Sequence, residues 1–217
     1  MVIFDCNGVL VDSEQIAAAV AAEEFTRAGF PLTPEIISRY FTGRRSSDML
    51  AAVEAATRRK LPANFATLLT AATLRRFRQE LRATPHIAYA LTWLRGPKCV
   101  ASSSTPDRIQ VSLESTGLLR FFGHAVFSAA DVPQGKPAPD LLLHAAAKMG
   151  VQASDCIVVE DSANGIAAAS AAGMTPIGYL GNSLDDCVGA NLMAAGARTL
   201  IVDMRQLKST VVALRGW

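Results

Sequence analysis

The chain has 217 residues, half of them hydrophobic and 18% charged, which excludes a disordered segment and allows one sizeable core, alone or with a smaller inserted domain. A formal net charge of +2 gives no argument for nucleic acid or an anionic membrane surface. No apolar run is long enough to span a bilayer, and the N-terminus lacks a signal-peptide pattern. Cys6, Cys99, Cys156 and Cys187 have neither close pairing nor metal-ligand spacing, which reads as a reduced, cytoplasmic protein.

Val2 to Asp5 is a short apolar run of buried-strand type. Residues 14 to about 85 then contain no convincing strand. Their periodicity predicts helices over 14–28, 34–41, 46–59 and 63–82, with Thr33 and Pro34 as the start signal of the second. After this stretch strands and helices alternate. The strands are Cys99 to Ser102, Ala125 to Ser128, Cys156 to Val159, Pro176 to Tyr179 and Thr199 to Val202. The helices between and after them are 106–116, 138–149, 162–172, 184–195 and 204–214, with Gly150 and Gly173 at expected stops. This order predicts an α/β fold: a doubly wound, mostly parallel Rossmann-like sheet with an inserted helical domain. The expected boundaries are 1–13 and 86–217 for the α/β core and 14–85 for the helical insertion.

Ligands of such sheets sit at the carboxyl ends of the strands. There the sequence has Asp5, Ser102 and Glu160-Asp161, with Lys136 in the loop after Ser128. Asp5 opens the loop Cys6-Asn7-Gly8, and a carboxylate in that place can attack phosphorus to form an acyl phosphate. Gly8 lets main-chain amides approach a phosphate. Glu160 and Asp161 beside a third carboxylate repel one another unless a cation neutralises them, and oxygen-only ligands point to Mg²⁺. Lys136 adds a compact positive charge and Ser102 a hydroxyl, both suited to a transferring phosphoryl group. Each residue alone has an ordinary structural explanation as a loop, cap or solvated group. Their joint placement at strand ends carries the functional reading.

Asp5-Cys6-Asn7-Gly8-Val9-Leu10-Val11-Asp12-Ser13-Glu14 resembles the first motif of the haloacid dehalogenase-like hydrolase superfamily. The likeness is to the branch with a helical cap after that motif, which includes β-phosphoglucomutase and many small-molecule phosphatases. Ser102, Gly135-Lys136-Pro137 and Glu160-Asp161-Ser162 follow in the family's order, so the resemblance covers essentially the whole chain. It implies Asp5 as nucleophile and Mg²⁺ ligand, and the main-chain carbonyl of Asn7 as a second ligand. It implies Ser102 and Lys136 as the residues that hold the phosphate, with Gly8 and Ser103 as further candidate substrate-binding residues. Asp161 would bind the metal, with Glu160 binding directly or through water. The helical insertion would be a cap closing over the substrate. Arg44 and Arg45 fall where such a cap meets the substrate, and one of them is expected to reach an anionic or hydroxylated group.

The sequence departs from the pattern at two places. Family phosphatases carry Asp where this chain has Asn7. That Asp protonates the leaving oxygen and then activates water; an amide can hydrogen-bond but cannot exchange the proton, and such a loss typically costs about 10²–10⁴-fold. Asn7-Gly8 is also a pair open to deamidation, which would restore Asp. Secondly, many relatives place His five residues beyond Asp12, where this chain has Ala17, which weakens a mutase reading. The expectation is a Mg²⁺-dependent phosphatase of a small phosphorylated metabolite, of sugar or sugar-acid phosphate type, impaired by Asn7. The alternatives are a β-phosphoglucomutase-like mutase and a catalytically silent metabolite-binding relative; a haloacid dehalogenase would need no metal, and Glu160-Asp161 argue against it. Nucleic acid and membrane are not expected partners, and the chain is expected to be a monomer or weak homodimer.

Overall fold

A computed structural model of the chain describes residues 1–41, 46–181 and 186–215. Its described residues divide into two compact units, Met1–Asp12 with Ala83–Trp217, and Ser13–Arg82.

The first unit is built on six parallel strands: β1 (Val2–Phe4), β2 (Lys98–Ser102), β3 (Val126–Ser128), β4 (Ile157–Glu160), β5 (Thr175–Tyr179) and β6 (Thr199–Ile201). Their order across the sheet is β3-β2-β1-β4-β5-β6. The chain therefore winds outward from β1 in one direction, then returns to place β4 on its other side. That reversal leaves a crevice at the carboxyl ends of β1 and β4, the place where doubly wound sheets hold ligands. The register aligns Phe4 with Val100 on one side and with Val159 on the other. Asp5 thus leaves the sheet level with Ala101 and Glu160, and its N–H still donates to Val159 O at 3.0 Å.

Parallel strands covered on both faces must be apolar throughout, and β1, Val-Ile-Phe, is buried at every position. Alternate side chains go to opposite faces. Ile3, Cys99, Ala101 and Val158 pack with Leu141, Leu142, Ala145 and Ala146 of helix α7 (Asp140–Lys148) and with Ala168 and Ala169 of helix α8 (Ala163–Ala171). The small alanines let these helices lie close to the sheet. Phe4 faces the other way and meets Phe122 edge-on, with ring centroids 5.9 Å apart. Helix α6 (Pro106–Ser115) follows β2; extended Thr105 precedes it and Pro106 occupies its first turn, where a missing N–H costs nothing. Helices α9 (Asp186–Ala194) and α10 (Leu207–Arg215) complete this unit after β5 and β6.

The sequence pattern did not reveal helix α5 (Ile87–Trp93). It has only seven residues, and its N-cap, His86, sits at φ +63° without a side-chain capping bond, so both its length and its start signal are weak. The second unit holds α1 (Glu14–Arg27), α2 (Pro34–Phe41), α3 (Ser46–Thr57) and α4 (Phe65–Glu80). Its own core gathers Val20, Phe25, Phe30, Ile37, Val53, Phe65 and Leu69. Phe25 and Phe65 meet with centroids 4.8 Å apart. Among the described residues no helix is long and apolar enough to cross a membrane.

Candidate active site

The site grows from the turn after β1. Gly8 N–H donates to Val11 O at 2.8 Å, and the N–H groups of Leu10 and Val11 both donate to Cys6 O. Gly8 takes φ +77°, a conformation open chiefly to glycine, and it has no room for a side chain either: a Cβ there would collide with the carboxylate of Asp161. Sequence thus dictates a close approach between the Asp5 loop and the residue that follows β4. The same turn bears on Asn7. Attack of the Gly8 nitrogen on the Asn7 amide would have to give up the bond to Val11, so the folded turn opposes the deamidation that Asn-Gly invites.

Asp5, Lys136 and Glu160 form one buried ion cluster. Lys136 Nζ donates to Asp5 Oδ1 at 2.6 Å, to Glu160 Oε1 at 2.5 Å and to Ala101 O at 2.8 Å. An ammonium has three protons, and all three are used. The Lys136 side chain is only 4% exposed, so the two carboxylates are what make its burial tolerable. Burial alone pushes the Lys136 pKa down, but Asp5 and Glu160 overcome that effect and leave it above the ordinary lysine value. For Asp5 burial wins. It raises the carboxyl pKa against the attraction of Lys136, Glu160 adds repulsion, and the result is pushed up to about 6. The main-chain N–H of Asn7 also donates to the Asp5 carboxyl and opposes the rise. Cys6, next in the chain, is fully buried and its thiol is pushed far up, so it is an inert part of the core rather than a second nucleophile.

Ser102 ends β2 fully buried, and its Oγ accepts from Ser104 N–H at 3.2 Å. Ser104 Oγ in turn accepts from Asn7 Nδ2 at 2.8 Å, and Ser104 O accepts from Ser128 Oγ at 2.7 Å. The sequence singled out Ser102 for a phosphate and did not point to Ser104; the bond from Asn7 to Ser104 arises from the turn geometry after β2, which no periodic pattern announces. Ser103 is exposed in the same turn. Glu160 Oε2 accepts from Ser162 N–H at 3.2 Å and Ser162 Oγ at 2.9 Å, while Ser162 Oγ caps α8 by accepting from Gly165 N–H. The structure therefore brings together Asp5, Lys136 and Glu160, Asp161 with Gly8, and Asn7 with Ser104. Arg44 and Arg45 lie outside the described residues.

The donor set suits a hard cation. Asp5, Asp161 and the main chain of residue 7 offer oxygen alone, and the space above Gly8 is what admits the Asp161 carboxylate. Among the described residues no group of three or more His, Cys, Asp or Glu side chains converges as a ready-made cage. Two carboxylates fit Mg²⁺, which usually binds through one or two of them and keeps several waters.

Comparison with known proteins bears on the family and the fold. The profile of haloacid dehalogenase-like hydrolases matches residues 1–173. The chain is 33% identical over 176 residues to the 6-phosphogluconate phosphatase of Escherichia coli K12, covering 80% of this chain and 79% of that one. It is 29% identical over 203 residues to the phosphorylated carbohydrates phosphatase of Thermotoga maritima, covering 92% and 93%. The crystal structure of a haloacid dehalogenase-like protein from Agrobacterium tumefaciens superimposes with a TM-score of 0.84 at 36% identity, over 99% of this chain and 98% of that one. Asp5 after β1, Lys136 against it and Glu160-Asp161 across the crevice are thus held in a fold shared over nearly the full length, and the chain belongs to the haloacid dehalogenase-like hydrolase family.

Proposed function

We propose that the chain is a Mg²⁺-dependent phosphatase of a small phosphorylated metabolite, of the sugar or sugar-acid phosphate type, working through an aspartyl-phosphate on Asp5. The observation that carries this is the Lys136 ammonium bound to Asp5 at 2.6 Å at the carboxyl end of β1. It supplies the positive charge that lets one anion approach another. The names of the relatives, a 6-phosphogluconate phosphatase and a phosphorylated carbohydrates phosphatase, support the substrate class.

In this reading an Asp5 oxygen forms a bond to phosphorus as the ester P–O bond breaks. The departing oxygen takes its proton from water, because the Asn7 amide has none to give. Water then attacks phosphorus, releasing phosphate and restoring the Asp5 carboxylate. Bound Mg²⁺ would supply charge neutralisation between Asp5, Asp161 and the phosphate. Lys136 and Ser102 would orient the phosphoryl oxygens, and Lys136 would hold Asp5 ionised. Asn7 slows both steps. Its fixed amide, bonded to Ser104, also favours a second reading in which the chain binds its metabolite with negligible turnover.

Phosphate release from an aryl phosphate, with Mg²⁺ and with chelator, tests the proposal on the parent chain and on Asn7→Asp. The expected result is Mg²⁺-dependent turnover raised by about 10²–10⁴-fold in Asn7→Asp. No release by either protein under any metal condition would sink the phosphatase reading.

A further inference from the structure

We infer that Ser104 is a positioning residue that fixes the side chain of residue 7 beside Asp5, and that the end of β3 holds Ser104 in turn. The kinetic consequence of this rests on the phosphatase reading above; its structural part does not.

Residue 7 is held from two directions. Its main chain is fixed within its own loop, where Asn7 bridges to Val11 and Gly8 N–H donates to Val11 O. Its side chain is tied to a different strand, with Nδ2 donating to Ser104 Oγ at 2.8 Å. The main chain of Ser104 is tied down on both sides. Its N–H donates to Ser102 Oγ at 3.2 Å, and its carbonyl accepts from Ser128 Oγ at 2.7 Å. Ser102 and Ser128 stand opposite each other in the register of β2 and β3, and both are buried. Ser128 is locked as the cap of the short 3-10 helix Ala129–Asp131. Its Oγ also accepts from Ala130 N–H at 3.1 Å, and its own N–H donates to Asp131 Oδ2 at 2.8 Å. A run of bonds thus crosses three adjacent strand ends, β3, β2 and β1, and reaches the side chain of residue 7.

A hydroxyl at position 104 suits either side chain at position 7. It accepts from the amide of Asn7, and by rotating it donates to the carboxylate of Asn7→Asp. Alanine does neither, yet it keeps both main-chain bonds of the turn. What the hydroxyl supplies is orientation. A polar side chain two residues past Asp5 has rotamers to lose, and an error of about 1 Å at a reacting group can cost about 10²-fold. Loss of the hydroxyl should therefore appear in steps that use residue 7 and not in the attack of Asp5 on phosphorus.

Two measurements test this. In the first, ¹⁵N spectra of the parent read the Asn7 carboxamide directly, its pair of signals being the one absent from Asn7→Asp. The two protons should be well separated in shift and exchange slowly with water. Ser104→Ala should bring them together and speed exchange by at least about tenfold, and Ser104→Thr, which keeps a hydroxyl, should restore the parent pattern. In the second, Ser104→Ala is placed in the Asn7→Asp background. It should lower kcat for 6-phosphogluconate, whose leaving oxygen needs a proton, by about 10–10²-fold with KM changed by less than about threefold. First-turnover release of nitrophenol from para-nitrophenyl phosphate, which needs no such proton, should stay within about threefold. Parent Asn7 signals like those of an exposed amide would overturn the inference without any variant having to fold. So would signals unmoved by Ser104→Ala, or equal losses on the two substrates, since a merely structural change slows both. If Asn7→Asp releases phosphate from neither substrate, the phosphatase reading fails, and the amide signals alone decide whether Ser104 holds residue 7.

Discussion

Lys136 and Asp5 are 131 residues apart in sequence and meet at 2.6 Å, with Glu160 on the other side of the same ammonium. Removing the cation therefore has two consequences of different kinds. Lys136→Met would leave two buried carboxylates facing each other without compensation. Its stability cost is expected to be about 3–5 kcal/mol, partly relieved if one acid takes up a proton. Activity on an aryl phosphate should fall by at least about 10²-fold in the Asn7→Asp background, where turnover is measurable. Urea unfolding at pH 7 and phosphate release on the same samples separate the two effects. A variant as stable and active as its parent would remove Lys136 from the mechanism.

The raised pKa of Asp5 makes a prediction about stability and pH. Burial lifts it from 3.8 to about 6 in the folded chain. Between these values the folded state binds more protons than the unfolded state, so this group's contribution to stability declines as pH rises through that window. The full change is on the order of 3 kcal/mol, complete above about pH 6 and absent below about pH 4. Asp5→Asn lacks this titration. With chelator present, the difference in unfolding free energy between Asp5→Asn and the parent should grow in favour of the variant from pH 4 to pH 7. A difference that stays constant over that range would mean that Asp5 is not held in a destabilising site.

The strand ends were legible in the sequence because buried parallel strands are short apolar runs, and each here ends within a residue or two of a polar group: Phe4 before Asp5, Ser102 in β2, Glu160 in β4. The helical insertion was legible from the absence of such runs. The strand order was not, because β1 pairs with both β2 and β4 by a choice of tertiary packing that local pattern does not encode. The hydroxyl contacts were hidden for a related reason. Ser104 reaches Asn7, and Ser162 reaches Glu160, through turns whose sequence allows several conformations, and only the packed fold selects one. Helix α5 escaped because a seven-residue apolar segment reads equally as strand or helix.

The turn around Gly8 sets the chemical fate of Asn7. Gly8 N–H is bonded to Val11 O at 2.8 Å, and its nitrogen is the atom that would have to attack the Asn7 side chain. Deamidation is thus expected to be slow in the folded chain and to speed up when the turn is lost. Intact mass on protein stored at neutral pH should show no growing one-dalton species, while the same protein kept in concentrated urea should accumulate it. Equal rates in both conditions would show that the turn gives Asn7 no protection. Activity that appears during native storage would point to the same conclusion by a separate route.

Gly8→Ala tests whether the close approach to Asp161 is structural or functional. Alanine at φ +77° is strained by about 1–2 kcal/mol, and its Cβ would meet the Asp161 carboxylate. Asp161 is half-buried, and a Cβ at Gly8 would force its carboxylate out of its present place. If Asp5 and Asp161 share Mg²⁺ as proposed, this displacement would leave the cation with one carboxylate fewer. The expected outcome is a folded protein, within about 3 kcal/mol of the parent by urea unfolding, whose Mg²⁺-dependent rise in melting temperature is largely gone. Stability loss with the Mg²⁺ response intact would place the metal away from Asp161, and the ligand set would have to be sought elsewhere around Asp5.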